Sequence, residues 1–206
     1  MFLAVLVTCG VIGSLTACES KKRARLNPKE GLTGGVLVFE DDFERAETGE
    51  AWLNRSGRWR IEGGRLRGQN DRNEGLWLNE PLPGRVRVEF DATAESEEGD
   101  IKFEIFASEQ RHQTGYIVIM GGWRNTVSII ARLDEHGDDR LEAGLSAQKG
   151  RSYHFTVVRT DNALRWYVNG KLALQFRDEE PLRGSYFAFS DWTAPVAFDN
   201  FKVFQL

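Results

Sequence analysis

The sequence predicts an all-β domain, folded as a two-sheet sandwich or a barrel. Three observations carry that prediction. From Gly35 onward apolar residues recur with a period of two, the pattern of strands with one buried face. Asn169-Gly170 sits between two such runs and signals a hairpin, because a type I′ turn needs positive φ at both positions. No window of a dozen residues keeps a 3.6-residue period, which leaves no room for a helical domain. With 206 residues, 41% of them hydrophobic, the chain can bury a full core.

The chain opens with an address. Residues 1–18 carry no charge and end in small residues, as a secretion signal does, and the apolar stretch is too short to span a bilayer. Leu15-Thr16-Ala17-Cys18 resembles a bacterial lipobox, which implies cleavage before Cys18 and a lipid on its thiol. No Lys or Arg precedes the apolar stretch, a departure from the usual n-region. Glu19 stands where inner-membrane lipoproteins typically carry Asp, so the resemblance implies an outer-membrane address. Residues 19–34 read as a polar tether, with five Lys or Arg against two acids between residues 19 and 30. Residues 35–206 form the folded unit, and no internal repeat or second domain is visible within it.

The strands follow in order. Val86, Val88, Phe90, Ala92 and Ala94 alternate with Arg87, Glu89, Asp91 and Thr93. The acidic stretch 95–99 then leads into Ile101, Phe103 and Ile105. Further runs fall at 116–120, 126–133, 153–159, 164–168, 172–176, 185–190 and 195–204. Gly63-Gly64 and Asp161-Asn162 read as hairpin turns like Asn169-Gly170. The last run slips phase: Val196 and Phe198 share one parity, Phe201 and Val203 the other. One extra residue at Asp199-Asn200, a β-bulge, reconciles them.

Three local patterns converge on a family. They are Phe39-Glu40-Asp41-Asp42-Phe43 with Trp52 and Gly57–Leu66, then Trp166-Tyr167-Val168-Asn169-Gly170, then Phe198-Asp199-Asn200-Phe201-Lys202-Val203. Together they resemble the concanavalin A-like lectin and glucanase superfamily, which includes laminin-G-like modules and the 3-keto-disaccharide hydrolase domain. The resemblance implies a jelly-roll β-sandwich of two antiparallel sheets with saccharide on a concave face. It also implies paired first and last strands, bringing Asp41 or Asp42 near Asp199. A structural Ca²⁺ held by Asp199 and Asp42 is the cofactor that follows from it; otherwise no cofactor is expected.

Family-16 glycoside hydrolases of this superfamily carry Glu-x-Asp-x-Glu on one strand face, and Glu89-Phe90-Asp91 resembles its first half. The third position here is Thr93, and Glu95 lies beyond the strand, so the acid/base is missing. A hairpin centred at Glu97-Glu98 would set Glu104 opposite Asp91 and diagonal to Glu89, a carboxylate cluster shared with Arg87 and Lys102. His112, His136 and His154 show no metal-ligand spacing. Of the six tryptophans, Trp123 and Trp192 fall in turns with polar neighbours, where an exposed indole can take the apolar face of a sugar ring.

A net charge of −4 argues against nucleic acid as partner. The expected protein is a lipid-anchored envelope lipoprotein binding carbohydrate or another envelope component without catalysis, through Trp123, Trp192, Arg87, Glu89 and Asp91. A glycan-cleaving enzyme using Glu89, Asp91 and Glu104 is the first alternative. A structural envelope protein that binds a protein partner through a sheet edge is the second.

Overall fold

The computed structural model describes residues 27–206; the signal, Cys18 and the start of the tether lie outside the described residues. Two antiparallel sheets face each other across one core. Sheet A runs in the order β13 (Lys171–Arg177), β12 (Ala163–Val168), β11 (Ser152–Thr160), β6 (Val86–Ala94), β15 (Val196–Gln205), β4 (Leu66–Gly68) and β3 (Arg60–Ile61), with β1 (Val36–Asp41) also pairing β15. Sheet B runs β10 (Leu141–Ala143), β9 (Val127–Arg132), β8 (Tyr116–Gly121), β7 (Ile101–Ala107), β14 (Tyr186–Ser190), β5 (Leu76–Leu78) and β2 (Trp52–Asn54). This is the all-β, two-sheet antiparallel sandwich expected from the alternation.

Alternation decides what each strand buries. Val86, Val88, Phe90, Ala92 and Ala94 of β6 and Ile101, Phe103 and Ile105 of β7 all face the core. Phe90 lies at its centre, within 5.3 Å of the Phe103, Phe155 and Phe189 ring centroids. The bulge forms where the phase slips. Asp199 pairs Asp91 and Lys202 pairs Glu89, three steps on β15 against two on β6, with Asn200 at φ 53°. Phe198 and Phe201 are thereby both turned inward.

Turn chemistry divides. Asn169 and Gly170 have φ of 50° and 73°, and Gly63 and Gly64 have 60° and 68°, as primed hairpins require. Asp161-Asn162 also joins two paired strands, but neither residue has positive φ, so that turn belongs to another type.

The expected hairpin from β6 to β7 is corrected. The two strands belong to different sheets: β6 lies between β11 and β15, β7 between β8 and β14. Residues 95–100 cross the end of the sandwich as an arch, and strands on either side of an arch alternate just as hairpin strands do. Asp91 therefore pairs with His154 and Asp199, and Glu104 with Ile117 and Ala188.

The end of the expected tether is part of the fold. It lies as a strap on the outer face of sheet A. The Tyr167 hydroxyl donates to Pro28 O, and Arg87 Nη1 donates to Gly31 O at 3.2 Å and Gly34 O at 2.7 Å. Glu30 meets Arg85 at 3.1 Å and Arg165 at 3.5 Å, and Arg165 is 0% exposed beneath it. Gly31, at φ 79°, passes so close to Val158 and Leu206 that a side chain would collide with both.

Candidate functional cleft

The outer face of sheet B carries an open cleft of about 730 Å³. Its floor starts on β7, where Lys102 and Glu104 point away from the core side taken by Ile101, Phe103 and Ile105. Both are buried, because the segments 108–115 and 133–140 fold over them. Glu104 holds the first segment in place. Its carboxylate accepts N–H bonds from Gln113, Thr114 and Gly115 at 3.2, 2.9 and 2.7 Å and sits 3.0 Å from His112 Nδ1. Lys102 Nζ holds the second, 2.9 Å from Glu135 Oε2, and also donates to Asn73 Oδ1 at 3.0 Å. His112 Nε2 and His136 Nε2 approach Glu135 at 3.9 and 3.8 Å.

One wall is a left-handed turn after β8. Gly121, Trp123, Arg124 and Asn125 have φ of 69°, 50°, 60° and 63°, and two of them, Trp123 and Arg124, are residues that seldom adopt this conformation. Asn125 pins the turn: its amide donates to Ala147 O at 2.6 Å and Glu97 O at 3.1 Å and accepts from Ala147 N at 2.7 Å. A Cβ at Gly121 would strike Asn125 Oδ1, so the tight approach needs glycine there. Strain of this kind persists only where surrounding contacts over-determine it, and it clusters at functional sites. The turn presents Trp123, 38% exposed, edge-on to His136 at 5.6 Å with the Arg140 guanidinium 4.7 Å over its ring.

The opposite wall is Trp192, 48% exposed, with Arg72 5.4 Å over its ring. Its backbone N–H donates to Asp100 Oδ2 at 2.9 Å and its carbonyl accepts from Arg72 N at 3.0 Å. Burial pushes the Asp100 carboxyl above the usual carboxylate range. Behind Trp192, Asp191 is 0% exposed, and its Oδ2 has no hydrogen-bond partner among the described residues. Burial, reinforced by the Asp71 and Asp100 carboxylates, raises Asp191 to about 7.

Trp123 and Trp192 thus line one cleft together with Lys102, His112 and His136, and Glu104 lies beneath its floor, bonded to His112. The remaining residues singled out as ligand contacts or metal ligands lie elsewhere. Arg87, Glu89 and Asp91 lie on the outer face of sheet A, on the far side of the sandwich, so the Glu89/Asp91/Glu104 cluster does not exist. Arg87 pairs with Glu89 at 2.6 Å, stacks 4.1 Å over Phe204 and is covered by the strap. Asp91 is bonded to His154 and Asn200, each at 2.9 Å.

At the other expected site, Asp42 accepts from Glu44 N at 3.1 Å. Asp41 is committed to Arg45 at 2.5 Å, Trp52 Nε1 at 2.7 Å and Phe43 N at 2.9 Å. Asp199 stands at the bulge, its pKa raised by burial and by Asp91 and Glu44. Among the described residues no three His, Cys, Asp or Glu side chains gather as a metal site.

Sequence reasoning missed Asn73, Asp100, Lys102, Glu135 and Asp191 as one site. They come from four loops and one strand far apart in the chain, and their only local signal was Lys102, which with Glu104 is charged on a strand of otherwise apolar residues.

Known proteins share this architecture. The carbohydrate-binding module CBM66 from Bacillus subtilis superposes with a TM-score of 0.62 at 14% identity, over 77% of this chain and 98% of that one. SCLam, a non-specific endo-β-1,3(4)-glucanase of family GH16, gives 0.60 at 13% identity over 82% and 91%. A laminarinase from Flavobacterium sp. UMI-01 gives 0.59 at 11% identity over 82% and 100%. The fold is therefore a jelly-roll sandwich of the concanavalin A-like kind. By sequence, residues 79–203 match the family described as "Farnesoic acid 0-methyl transferase", and the chain belongs to that family. No curated protein matches the chain in sequence.

The family's description does not fit the cleft. A farnesoyl chain wants a continuous apolar channel, and methyl transfer wants a seat for a methyl donor. The cleft is lined by Asn73, Asp100, Lys102, His112 and Glu135 as well as by two indoles, Ile119 and Ala194, and a further hollow, beside β1, is lined by Glu40, Asp41, Asp42 and Arg45 together with Phe39 and Phe201.

Proposed function

We propose that the protein is a lipid-anchored cell-envelope protein that binds carbohydrate, without cleaving it, in the cleft on sheet B. The observation that carries this reading is the pair of exposed indoles, Trp123 and Trp192, on opposite walls of a polar groove. An indole offers a flat apolar face to sugar C–H groups, and the polar floor offers partners for hydroxyls. The carbohydrate-binding module and glucanases that share the fold lend support. The carboxylates speak for binding over cleavage. A hydrolytic pair needs one carboxyl able to attack or activate water and one able to give a proton. Here Glu104 is saturated by backbone N–H groups, Glu135 is tied to Lys102, and Asp100 accepts the backbone N–H of Trp192, which leaves Glu98 at the rim as the one carboxylate without such a tie among the described residues of the cleft.

Glycan cleavage is the second reading, favoured by His112 standing between Glu104 and Glu135 on the floor. Both readings are tested together by affinity electrophoresis of the full chain through gels holding a panel of polysaccharides, with calcium and with chelator. Retardation by at least one glycan, abolished in Trp123→Ala and Trp192→Ala, is expected, with the eluted glycan unshortened. Shortened glycan would move the assignment to a hydrolase; no retardation would remove the carbohydrate reading.

The anchor also gives an orientation. Nine peptide steps separate Cys18 from Asn27, a reach of at most about 30 Å. A lipid on Cys18 then keeps the strap, and with it sheet A, toward the bilayer and the cleft toward the surroundings. Palmitate labelling that disappears in Cys18→Ala tests the anchor.

A further inference from the structure

We propose that the cleft takes an acidic saccharide, with the Arg72 and Arg124 guanidinium groups receiving its carboxylate or sulfate groups while Trp192 and Trp123 hold the ring faces. The inference rests on the carbohydrate reading of this cleft and narrows its ligand.

Placement singles these two guanidinium groups out. Ten of the eighteen described arginines are matched with carboxylates, among them Arg45 with Asp41 at 2.5 Å, Arg87 with Glu89 at 2.6 Å and Arg132 with Asp178 at 2.9 Å. Within the cleft, Lys102 is matched by Glu135 at 2.9 Å and Arg140 by Glu142 at 2.7 Å. Eight described arginines have no such partner, Arg72 and Arg124 among them, and these two are distinguished by their place at the exposed indoles. Both are exposed, and among the described residues neither reaches a carboxylate within ion-pair distance. Their positions are not scattered. Arg72 lies over the Trp192 ring, and Arg124 follows Trp123 on the left-handed turn. Each wall therefore pairs one aromatic platform with one unmatched guanidinium.

The cleft's acids do not cancel them. Glu104 faces backbone donors, Glu135 faces Lys102, and Asp100 accepts the Trp192 backbone N–H. Glu98 alone remains exposed at the rim. A guanidinium binds a carboxylate or sulfate through two parallel N–H bonds, which fixes an acidic group in the plane beside a stacked ring.

The test is calorimetric titration of the full chain with four probes. Trigalacturonic acid and a chondroitin sulfate tetrasaccharide supply carboxylate, and carboxylate with sulfate. The methyl ester of trigalacturonic acid keeps the rings and removes the charge, and laminaritriose is neutral throughout. At least one acidic probe is expected to bind tenfold or more tightly than the methyl ester, with the advantage shrinking as salt rises from about 0.05 to about 0.5 M. The Arg72→Ala/Arg124→Ala double variant is expected to lose that advantage, and Trp192→Ala to lose binding of every probe. Equal affinity for acid and ester, or an advantage that survives in the double variant, overturns the acidic ligand. If laminaritriose also binds and loses affinity in Trp192→Ala, the carbohydrate reading stands without it. Binding of none of the four overturns both.

Discussion

Replacing Asp191 with Asn should make the protein more stable at pH 8 and leave it nearly unchanged at pH 4. Asp191 is fully buried behind Trp192, where burial and the neighbouring Asp71 and Asp100 carboxylates raise its pKa from 3.8 to about 7. A carboxyl with a raised folded-state pKa binds its proton more tightly when folded. Its contribution is therefore fully present below pH 3.8, declines as pH rises, and is lost above about 7. Each pH unit across that interval corresponds to about 1.4 kcal/mol, so the whole of it amounts to roughly 4 kcal/mol at most. Asn keeps the Oδ1 acceptor that receives Asp71 N–H at 3.2 Å and never ionises. The assay is urea unfolding followed by tryptophan fluorescence at pH 4, 5.5, 7 and 8. The difference in stability between variant and wild type should grow by about 1 kcal/mol or more per pH unit between 4 and 7, then level off. A difference that stays constant over that range would refute the reasoning, because it would mean that Asp191 titrates alike in the folded and unfolded chains.

Three further outcomes follow from the contacts. Glu104→Gln removes the charge that gathers three backbone N–H groups, so it should cost about 3 kcal/mol and speed amide exchange at residues 113–115. Phe90→Ala empties the centre of the aromatic core and should cost about 3–5 kcal/mol in urea unfolding, with ligand affinity retained wherever the variant stays folded. Glu89→Ala and Asp91→Ala lie across the sandwich from the cleft and should leave saccharide affinity within twofold of wild type in the calorimeter.

The strands were legible because each carries its evidence locally. Val86 to Ala94 alternates without interruption, Asn169-Gly170 supplies its own turn, and the bulge at Asn200 shows as a change of parity between Phe198 and Phe201. Sheet membership was illegible for a physical reason. Alternation records only that one face is buried, and β6 and β7 bury theirs into the same core from opposite sides, Phe90 against Phe103 at 5.3 Å. The acidic stretch between them suits a hairpin and an arch equally, and only the hairpin would place Glu104 beside Asp91. The strap was hidden for a similar reason: Lys29, Glu30 and Gly31 have a tether's composition, while their partners Arg85, Arg87 and Arg165 lie more than fifty residues away. Trp123 and Trp192 could be singled out because an indole among turn residues is a local feature. The floor beneath them, Lys102 with Glu135 and Asn73, joins three separate segments and leaves no trace along the chain.

The most direct test of the account is amide hydrogen exchange on the full chain with and without a bound glycan. The sheet B cleft predicts protection confined to the turn at Gly122–Asn125, the segment 190–194 and the loop around Asn73. Protection on β6, on the bulge at Asp199-Asn200 or along the strap at 27–34 would put the ligand on sheet A and contradict it.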